Sequence, residues 1–396
     1  SSDLFGVYLL VLGKYKFLHI FKAIVYAGIS SLFLPALWYI AAWKQGGDDF
    51  LDVVLAENFG RFFNTSTPDI DYRLGHENGF YYNFVTLIAG FLPWTILFFF
   101  SLFGLKVRKP EKTVKELVTG IWSSIKSMEK VRLFSLVVIV CVIFFYSFPA
   151  SKRSVYLMPA YPFIALFLAQ YAIYITEYKT KATRVFAAFL ASCTSLVLIA
   201  SALVMGGAIN LSTIVAQYTD KASTLYTVSL IQNSLANPTF LTVFLFVLLL
   251  IALGILLYQM FRKINIKILY ATIGLAFALN LVTDGVFMYT IREGSSCKAF
   301  ATRIKKEYPV NRSNVFVVNN LLKYKNMYGL NFYMGNLFHD FEKQLPEEGY
   351  FLVCENNMPD IEKEYKDQYS FTFLTATENI PDELDQKILL YSFTKK

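Results

Sequence analysis

The sequence predicts a polytopic α-helical membrane protein with about seven full transmembrane helices and a C-terminal exterior α/β domain. The first observation is composition: 55% of the 396 residues are hydrophobic and only 17% are charged, whereas soluble domains have about 25% charged residues. The second is the length of the apolar runs, which suits spanning helices. Seven such runs lie near 20–43, 79–105, 131–150, 155–176, 185–209, 239–261 and 268–291.

A shorter apolar run, LFGVYLLVLG at 4–13, precedes them. It has about half the length that a spanning helix needs. The chain opens Ser-Ser-Asp without a Met or a basic segment, so this run does not have the pattern of a signal peptide. We interpret it as the end of a helix cut in two, and we expect the chain to be a fragment that lacks its N-terminal part.

Basic side chains concentrate in alternate loops, although the net charge of +8 could by itself suggest nucleic acid as a partner. Cytoplasmic loops of membrane proteins carry such a basic excess. We therefore interpret the charge as a signal of membrane orientation, and no nucleic-acid partner is expected. The loops expected in the cytoplasm are 106–130, 177–184 and 262–267, and the segments expected outside are 44–78, 151–154, 210–238 and everything after 292.

Two domains are predicted, a transmembrane region at 1–291 and an exterior α/β domain at 292–396. In the second, charged residues return and the apolar runs become short. Short β-branched and aromatic runs predict strands, and strands that alternate with helices predict an α/β layer. The predicted helices lie at 297–307, 324–330 and 358–369, and the predicted strands lie near 314–319, 331–334, 349–355, 370–375 and 387–393.

The exterior loop 44–78 contains a predicted interfacial helix. In DDFLDVVLAENFGRFF, from 48 to 63, apolar residues recur with a helical period and acids occupy the other face. This pattern is typical of a helix that lies at the membrane surface. Elsewhere, Cys297 and Cys354 both fall in the predicted exterior domain, and the sequence leaves open whether they form a disulfide.

The segment SFPASKRSVYLMPAYP, at 147–162, places Lys152 and Arg153 in a short break between two spans. The break is predicted to be exterior, where the positive-inside bias disfavours cations. An anionic ligand at the head-group level would explain the pair, and a phosphate is the natural candidate, because Arg offers a bidentate fork and Lys a point charge. The alternative is a pair of snorkelling side chains that contact anionic lipid.

Three further features accompany this pair. Glu57 and Arg61 are four residues apart on the predicted interfacial helix and therefore share a face. His76 lies in a polar loop just before the aromatic run FYYNF. LPW at 92–94 and MPAYP at 158–162 place prolines inside spans, where the freed backbone groups usually line a cavity or meet a neighbour. Each feature also has a structural explanation, but their order along one chain is specific.

Together these segments resemble a known family. ENFGRF, HENGFYYNFVTLIAGFLPW and SKRSVYLMPAYPFIAL resemble motifs of the bacterial aminoarabinose–lipid A transferase and protein O-mannosyltransferase clan, which are polytopic GT-C glycosyltransferases. The resemblance covers roughly residues 20–176. The later helices and the α/β domain agree with the family only in general architecture.

The resemblance implies transfer of a sugar from a polyprenyl-phosphate donor to a lipid or protein hydroxyl, at the outer face of the bacterial cytoplasmic (inner) membrane. Membrane lipids are a further expected partner. The residues implied to bind the donor phosphate are Arg61, Lys152 and Arg153, and those implied to line the pocket are Glu57, His76, Tyr81, Tyr82 and Tyr156. No cofactor is implied except a divalent metal, if one is used, at Glu57 and His76.

The family's catalytic base is not assigned within this chain. In the family, the acid that deprotonates the acceptor lies in the first exterior loop, so we expect the corresponding Asp upstream of residue 1. Asn58 also stands where several relatives carry His, which is a departure from the family's metal site. The sequence names neither the sugar nor the acceptor.

Two other functions compete with the transferase. A transporter or flippase of a lipid-linked sugar would use the same cations, but transporters usually carry ionisable groups near the middle of the membrane, and Asp284 is the main such residue here. A membrane anchor that presents the α/β domain to a partner would leave Arg61, His76 and the Lys152–Arg153 pair unexplained. The transferase is therefore the favoured hypothesis.

Overall fold

The computed structural model describes residues 2–55, 78–103, 113–149, 152–318, 327–381, 384 and 386–396. It is mostly helical and ends in a five-stranded sheet, so the predicted fold class is confirmed. The α-helices are α1 Ser2–Leu12, α2 Phe17–Leu55, α3 Tyr82–Gly90, α4 Trp94–Leu102, α5 Val114–Lys126, α6 Lys130–Ser147, α7 Tyr161–Tyr178, α8 Thr180–Met205, α9 Leu211–Val215, α10 Ala222–Ala236, α11 Phe240–Arg262, α12 Asn265–Val282, α13 Tyr289–Gly294, α14 Lys298–Glu307, α15 Tyr328–Met334, α16 Phe341–Gln344 and α17 Met358–Tyr365. The strands are β1 Val315–Val317, β2 Phe338–Asp340, β3 Glu348–Cys354, β4 Tyr369–Ala376 and β5 Ile388–Lys395.

Seven membrane spans are compatible with the described helices. Many of their apolar side chains remain uncovered by protein, for example Leu34, which is 74% exposed, as expected of helices that face lipid. The count of seven takes the bent pair α3 and α4, with an angle of 100° between the two helices, as one span. The six other segments that are long and apolar enough are Phe17–Asp48, Lys130–Ser147, Ser154–Tyr178, Thr180–Met205, Phe240–Arg262 and Asn265–Glu307.

The bend between α3 and α4 lies at Pro93. Proline has no backbone N–H and cannot continue the α-helical hydrogen bonds. The neighbouring N–H groups form tight-turn bonds instead, from Leu92 to the carbonyl oxygen of Ala89 at 3.1 Å and from Trp94 to that of Phe91 at 2.8 Å. The backbone thus satisfies these groups within the bend, which is what a break inside a span requires.

Gly90, at the end of α3, allows α7 to approach this bend. A Cβ atom at position 90 would lie 2.5 Å from the hydroxyl oxygen of Tyr161. The ring of Tyr161 also lies 4.9 Å from the ring of Phe91, between centroids. The first residue of α7 is therefore packed directly against the bent span.

The chain forms two compact units, and the first comprises residues 1–189 and 262–270. In this unit, α1 packs against α2 and α6, and the ring of Tyr8 meets that of Phe134 edge-on at 5.4 Å. The C-terminal half of α6 and the segment before α7 share a core around the fully buried Leu157. This packing holds both ends of the Lys152–Arg153 break.

The second unit comprises residues 190–261 and 271–396. Its sheet has the order β2-β1-β3-β5-β4, with β1 parallel to β2 and β3 and with β5 antiparallel to β3 and β4. Successive residues of β3 belong alternately to two hydrophobic clusters, Phe351 to one and Leu352 to the other. Because side chains of a strand alternate between faces, apolar side chains cover both faces of the sheet.

The strand predicted near 331–334 is wrong. These residues belong to α15, which ends at Gly335 with a left-handed φ of 82°, and the second strand follows as β2. Leu330 and Met334 are four residues apart and both are buried, which is the spacing of one helix face. The apolar and aromatic run therefore has a helical period that the strand prediction overlooked. Of the helix predicted at 324–330, residues 328–330 are helical and 324–326 lie outside the described part of the chain, and the other predicted helices and strands of the tail are present.

The predicted interfacial helix at 48–63 lies only partly within the described residues. α2 contains a break in helical geometry at Gly47, whose φ of 71° is in the left-handed region that favours glycine. The helical residues that follow reach Leu55, and 56–77 lie outside the described part of the chain. The domain boundary near 291 and the orientation of the loops stay predictions.

The two cysteines of the C-terminal sheet region, Cys297 and Cys354, carry thiols rather than a disulfide. Cys297 and Cys354 belong to the same hydrophobic cluster, and both are buried. Their burial among apolar side chains is the usual environment of a cysteine that acts as a small hydrophobic residue.

Candidate functional site

The break between α6 and α7 carries the predicted phosphate ligands Lys152 and Arg153. α6 ends at Ser147, and a 3₁₀ helix, Ser154–Ala160, precedes α7. Pro159 lies inside this 3₁₀ helix, where its missing N–H would interrupt a regular α-helix. The break is therefore a short turn with a helix on each side. Residues 150 and 151 of this turn lie outside the described part of the chain.

Lys152 is buried, with 5% of its surface exposed. Its ammonium donates to the carbonyl oxygen of Pro149 at 2.6 Å and to that of Asn78 at 3.1 Å. The side chain of Asn78 returns a hydrogen bond to the carbonyl oxygen of Lys152 at 3.1 Å. Since an ammonium has three donors, two are used by carbonyls, and the reciprocal pair fixes the turn to the residues before α3.

Asn83 forms a second polar link, between α3 and the end of α6. It is 1% exposed, and its side-chain amide donates to the carbonyl oxygen of Tyr146 at 2.9 Å and to the Ser147 hydroxyl at 3.3 Å. A buried amide requires such partners, because an unpaired polar group away from water is costly. Neither Asn78 nor Asn83 was predicted as a site residue, although Asn83, inside an otherwise apolar run, is a recognisable signal.

Arg153 differs from its neighbour. Its side chain is exposed, and within the described part of the chain no hydrogen bond or ion pair engages its guanidinium. The backbone carbonyl oxygen of Arg153 accepts from the N–H of Tyr156 at 3.1 Å, at the start of the 3₁₀ helix. The backbone of Arg153 is thus fixed, while the N–H donors of its guanidinium are available to bind a ligand.

Tyr156 stands beside this pair of cations. Its ring is half-buried and stacks on that of Tyr146, with 5.3 Å between centroids and 21° between planes. Tyr82 is half-buried and Tyr81 is exposed at the start of the bent span. Among the described residues, the structure brings Lys152, Arg153 and Tyr156 into one turn, and no hydrogen bond or ring contact joins Tyr81 or Tyr82 to that turn.

The remaining predicted residues, Glu57, Arg61 and His76, lie outside the described part of the chain. Their roles, including a metal site at Glu57 and His76, stay predictions. In the ranges that the structure describes, no group of three or more His, Cys, Asp or Glu side chains is arranged to hold a metal ion.

A cavity of about 660 Å³ opens elsewhere in the first unit. Its lining includes Phe100, Phe103, Tyr178, Lys179 and Lys181, and none of the predicted site residues. The ammonium of Lys179 is held by the carbonyl oxygen of Ser101 at 2.8 Å. The turn between α6 and α7 therefore remains the candidate site, because it combines an exposed guanidinium, a second cation and an aromatic wall.

Comparison with known proteins gives few relatives by sequence. No protein family model matches the chain. A curated protein from Aquifex aeolicus (strain VF5), described as uncharacterized, is 27% identical over 147 residues, which are 37% of this chain and 24% of that protein. The chain thus covers about a quarter of this relative, whose description names no activity.

Comparison with solved structures is more informative. ArnT from Cupriavidus metallidurans, bound to undecaprenyl phosphate, matches 98% of this chain and 64% of its own with a TM-score of 0.59 and 13% identity. The chain has the fold of the matched part of ArnT. Apo ArnT from the same organism matches with a TM-score of 0.52, again at 13% identity, over 98% of this chain and 63% of the ArnT chain.

The likeness to ArnT confirms the GT-C fold that the sequence resemblance implies. It spans nearly all of this chain but less than two thirds of the ArnT chain. The structure is therefore that of a multi-pass membrane protein with the architecture of this part of ArnT, and activity, donor and acceptor are matters for proposal.

Proposed function

We propose that this chain is part of a GT-C membrane glycosyltransferase that moves a sugar from a polyprenyl-phosphate donor to a lipid or protein hydroxyl. The observation that carries the proposal is the exposed guanidinium of Arg153, held beside the buried Lys152 at the end of a span. The fold supports the same conclusion, because an ArnT structure with this fold is bound to undecaprenyl phosphate.

The chemistry explains why cations are needed at this position. When the glycosidic bond to the donor breaks, the lipid phosphate becomes the leaving group and its negative charge grows. A preorganised donor that meets this charge stabilises the transition state more than the ground state. Arg153 would hold two phosphate oxygens with its planar fork.

Lys152 has a different proposed role in the same step. Two of its donors are held by the carbonyl oxygens of Pro149 and Asn78, so at most one remains for the phosphate. Its charge still lies in the turn, where a low dielectric strengthens attraction to an anion. Lys152 would thus position Arg153 through the shape of the turn and add to the positive potential.

The aromatic side chains would form the wall of the pocket. Tyr156, three residues after Arg153 in the chain, stacks on Tyr146 and would present its ring to the sugar or the prenyl chain. Tyr81, Tyr82, Glu57, His76 and Arg61 complete the proposed pocket on the strength of the sequence resemblance. The catalytic base is expected upstream, and a divalent metal, if used, at Glu57 and His76.

Binding of undecaprenyl phosphate tests this proposal. The full-length protein in nanodiscs is titrated with undecaprenyl phosphate, alongside Arg153→Ala and the matched control Arg262→Ala, which removes an exposed arginine from a loop predicted to be cytoplasmic. We expect Arg153→Ala to weaken binding about tenfold or more, the scale of a lost charge-assisted hydrogen bond, and Arg262→Ala to have no effect.

Two outcomes would contradict the proposal. Equal affinities of wild type and Arg153→Ala for undecaprenyl phosphate would show that the phosphate does not bind at this turn. Normal donor binding with donor flipping but without sugar transfer, in the full-length protein, would favour the transporter.

A further inference from the structure

α5, the helix Val114–Lys126, lies between two membrane spans and has no buried residue. Its N-terminus is closed by a capping box. The Thr113 hydroxyl accepts from the N–H of Glu116 at 3.4 Å, and the Glu116 carboxylate accepts from the N–H of Thr113 at 2.9 Å. The box satisfies two N–H groups at the helix start, so the sequence itself specifies a helix at this position.

One face of α5 is apolar along its whole length. Its apolar residues follow the spacing i, i+3, i+4, i+7, i+8 and i+11, which gathers them in an arc of roughly 140°. Val114 is 77% exposed, Val118 60% and Ile121 61%, and soluble proteins rarely leave such a continuous apolar face uncovered. The residues of this apolar face are Val114, Leu117, Val118, Ile121, Trp122 and Ile125.

The C-terminal end of α5 is anchored to the transmembrane part of the first unit. Ile125 and Met128 pack against the cluster around Tyr8, Leu133 and Val137. The connection to α6 is Ser127–Glu129, and three residues reach at most about 10 Å. The apolar face therefore cannot move far from the end of the span that begins at Lys130.

Basic side chains flank one edge of the apolar face. Lys115 and Lys126 both fall next to Trp122 on the helix circumference, and the ammonium of Lys126 lies 5.2 Å from the centre of the Trp122 ring. Glu116 is the helix's acid, and its hydrogen bonds to Thr113 lower the pKa of its carboxyl. The carboxylate of Glu116 is thus engaged in the capping box at the helix start, and the edge of the helix that carries Lys115 and Lys126 remains positively charged.

We propose that α5 lies in the plane of the membrane interface, with its apolar face among the acyl chains and with Lys115 and Lys126 on the phosphates of anionic phospholipids. Tryptophan prefers the interface, and lysines at the edge of an apolar arc reach the head groups with their ammonium ends while their stems stay apolar. Cations near an anionic leaflet add to the attraction. A lipid surface fits better than a protein partner, because both chain ends of α5 lead into spans.

Spin labels on opposite faces of the same helix test the placement. In the full chain, with the four native cysteines replaced, Ile121→Cys and Ser123→Cys are labelled with nitroxide and the protein is placed in nanodiscs. We expect the label at 121 to be accessible to oxygen and shielded from a water-soluble nickel complex, and the label at 123 to show the reverse. Equal access of the nickel complex to both labels would overturn the proposal, and so would a label at 121 shielded from both reagents, because a protein surface would then cover the face.

Lipid charge tests the role of the lysines. The same measurement is made in nanodiscs of phosphatidylcholine alone and of phosphatidylcholine mixed with phosphatidylglycerol. We expect the label at 121 to move deeper with phosphatidylglycerol, and Lys115→Gln with Lys126→Gln to abolish this shift. The control pair Lys363→Gln with Lys366→Gln, in and next to α17, should preserve it. If the shift is unchanged in the Lys115→Gln and Lys126→Gln variant, these lysines do not contact the lipid phosphates. None of these outcomes depends on glycosyl transfer.

Discussion

The ammonium of Lys152 donates a 2.6 Å hydrogen bond to the carbonyl oxygen of Pro149, three residues earlier in the same turn. The second bond reaches Asn78, so one buried cation joins the end of α6 to the residues that lead into α3. Arg153, the next residue, is exposed. The two adjacent cations therefore have different roles, since Lys152 stabilises the turn and Arg153 is exposed.

This difference predicts different effects on stability. Lys152→Ala removes the donor from two carbonyl groups, and leaving buried polar groups unpaired costs about 1–3 kcal/mol. Arg153→Ala removes an exposed side chain and should change the free energy of unfolding by less than about 0.5 kcal/mol. Thermal unfolding of the two variants in the same detergent measures the contrast. Equal midpoints would show that the Lys152 bonds do not stabilise the turn.

Asn83 should be as important for stability as Lys152. Asn83→Ala leaves the carbonyl oxygen of Tyr146 without its 2.9 Å donor, and we expect a loss of about 1–2 kcal/mol. Ser147→Ala is the comparison variant. It removes the longer 3.3 Å contact with Asn83 and the hydroxyl's own 2.7 Å bond to the carbonyl oxygen of Ile143, but it leaves the Tyr146 carbonyl paired, so it should cost less. Thermal unfolding in detergent ranks the two variants, and a larger effect of Ser147→Ala would contradict the assignment of Tyr146 as the main partner.

The spans were predictable because a bilayer imposes a minimum apolar length, and the run at 79–105 illustrates it. Its length marked it as one span and its Leu-Pro-Trp sequence marked an interruption. The angle of 100° and the close packing of Gly90 against Tyr161 are tertiary features that no local pattern specifies. In the tail, the pattern of short β-branched and aromatic runs predicted β3 and β5 correctly. It failed at 331–334, where Leu330 and Met334 bury one face of a helix.

The candidate site was predictable only in part. The sequence marked Lys152 and Arg153 as unusual because of where they lie between two spans. It did not separate their roles, since Asn78, which accepts from the Lys152 ammonium, is 74 residues away. Asn83 stands out in an apolar run, but its partner could not be predicted, because that partner is the backbone carbonyl oxygen of Tyr146 and backbone groups leave no signal in a sequence.

Gly90 offers a test of the bent span. Gly90→Ala would place a methyl group 2.5 Å from the Tyr161 hydroxyl oxygen and 3.2 Å from the ring carbon that bears it. We expect a loss of about 1–3 kcal/mol, the usual cost of overpacking. Tyr161→Phe in the same chain should restore part of this loss by removing the oxygen.

Gly254 is the matched control for Gly90. A Cβ atom there meets nothing within 4 Å, and it lies inside α11. Gly254→Ala should therefore be neutral or stabilise by up to about 1 kcal/mol, because alanine is the better helix former. Both variants are compared by thermal unfolding, and equal effects at the two positions would show that the contact with Tyr161 does not limit position 90.

Membrane orientation follows from the alternation of basic and acidic loops. In a chain without its native cysteines, Lys363→Cys on α17 should react with a membrane-impermeant thiol reagent in intact cells. Ser123→Cys on α5 should react only after lysis. Both side chains are exposed, so differences in labelling report sidedness rather than burial. Protection at 363 with labelling at 123 would reverse the orientation.

The proposed phosphate contact predicts a graded loss of transfer at Arg153. A donor that meets charge as it develops contributes about 2–4 kcal/mol to the transition state, so Arg153→Ala should reduce turnover by roughly 30- to 1,000-fold. Arg153→Lys keeps the charge but loses the fork, and we expect it to recover only part of the rate. Turnover is measured with polyprenyl-phosphate sugar and the full-length enzyme in nanodiscs.

The control for this series is Arg262→Ala, which should retain full turnover. Because Arg153→Ala is expected to leave stability unchanged, a lower rate at an unchanged unfolding midpoint assigns the loss to the reaction. Exposed charges that only contact lipid contribute little, and a snorkelling Arg153 would leave turnover within about threefold of wild type. In that case Arg153 belongs with the lipid head groups, and the donor phosphate has to be sought at Arg61.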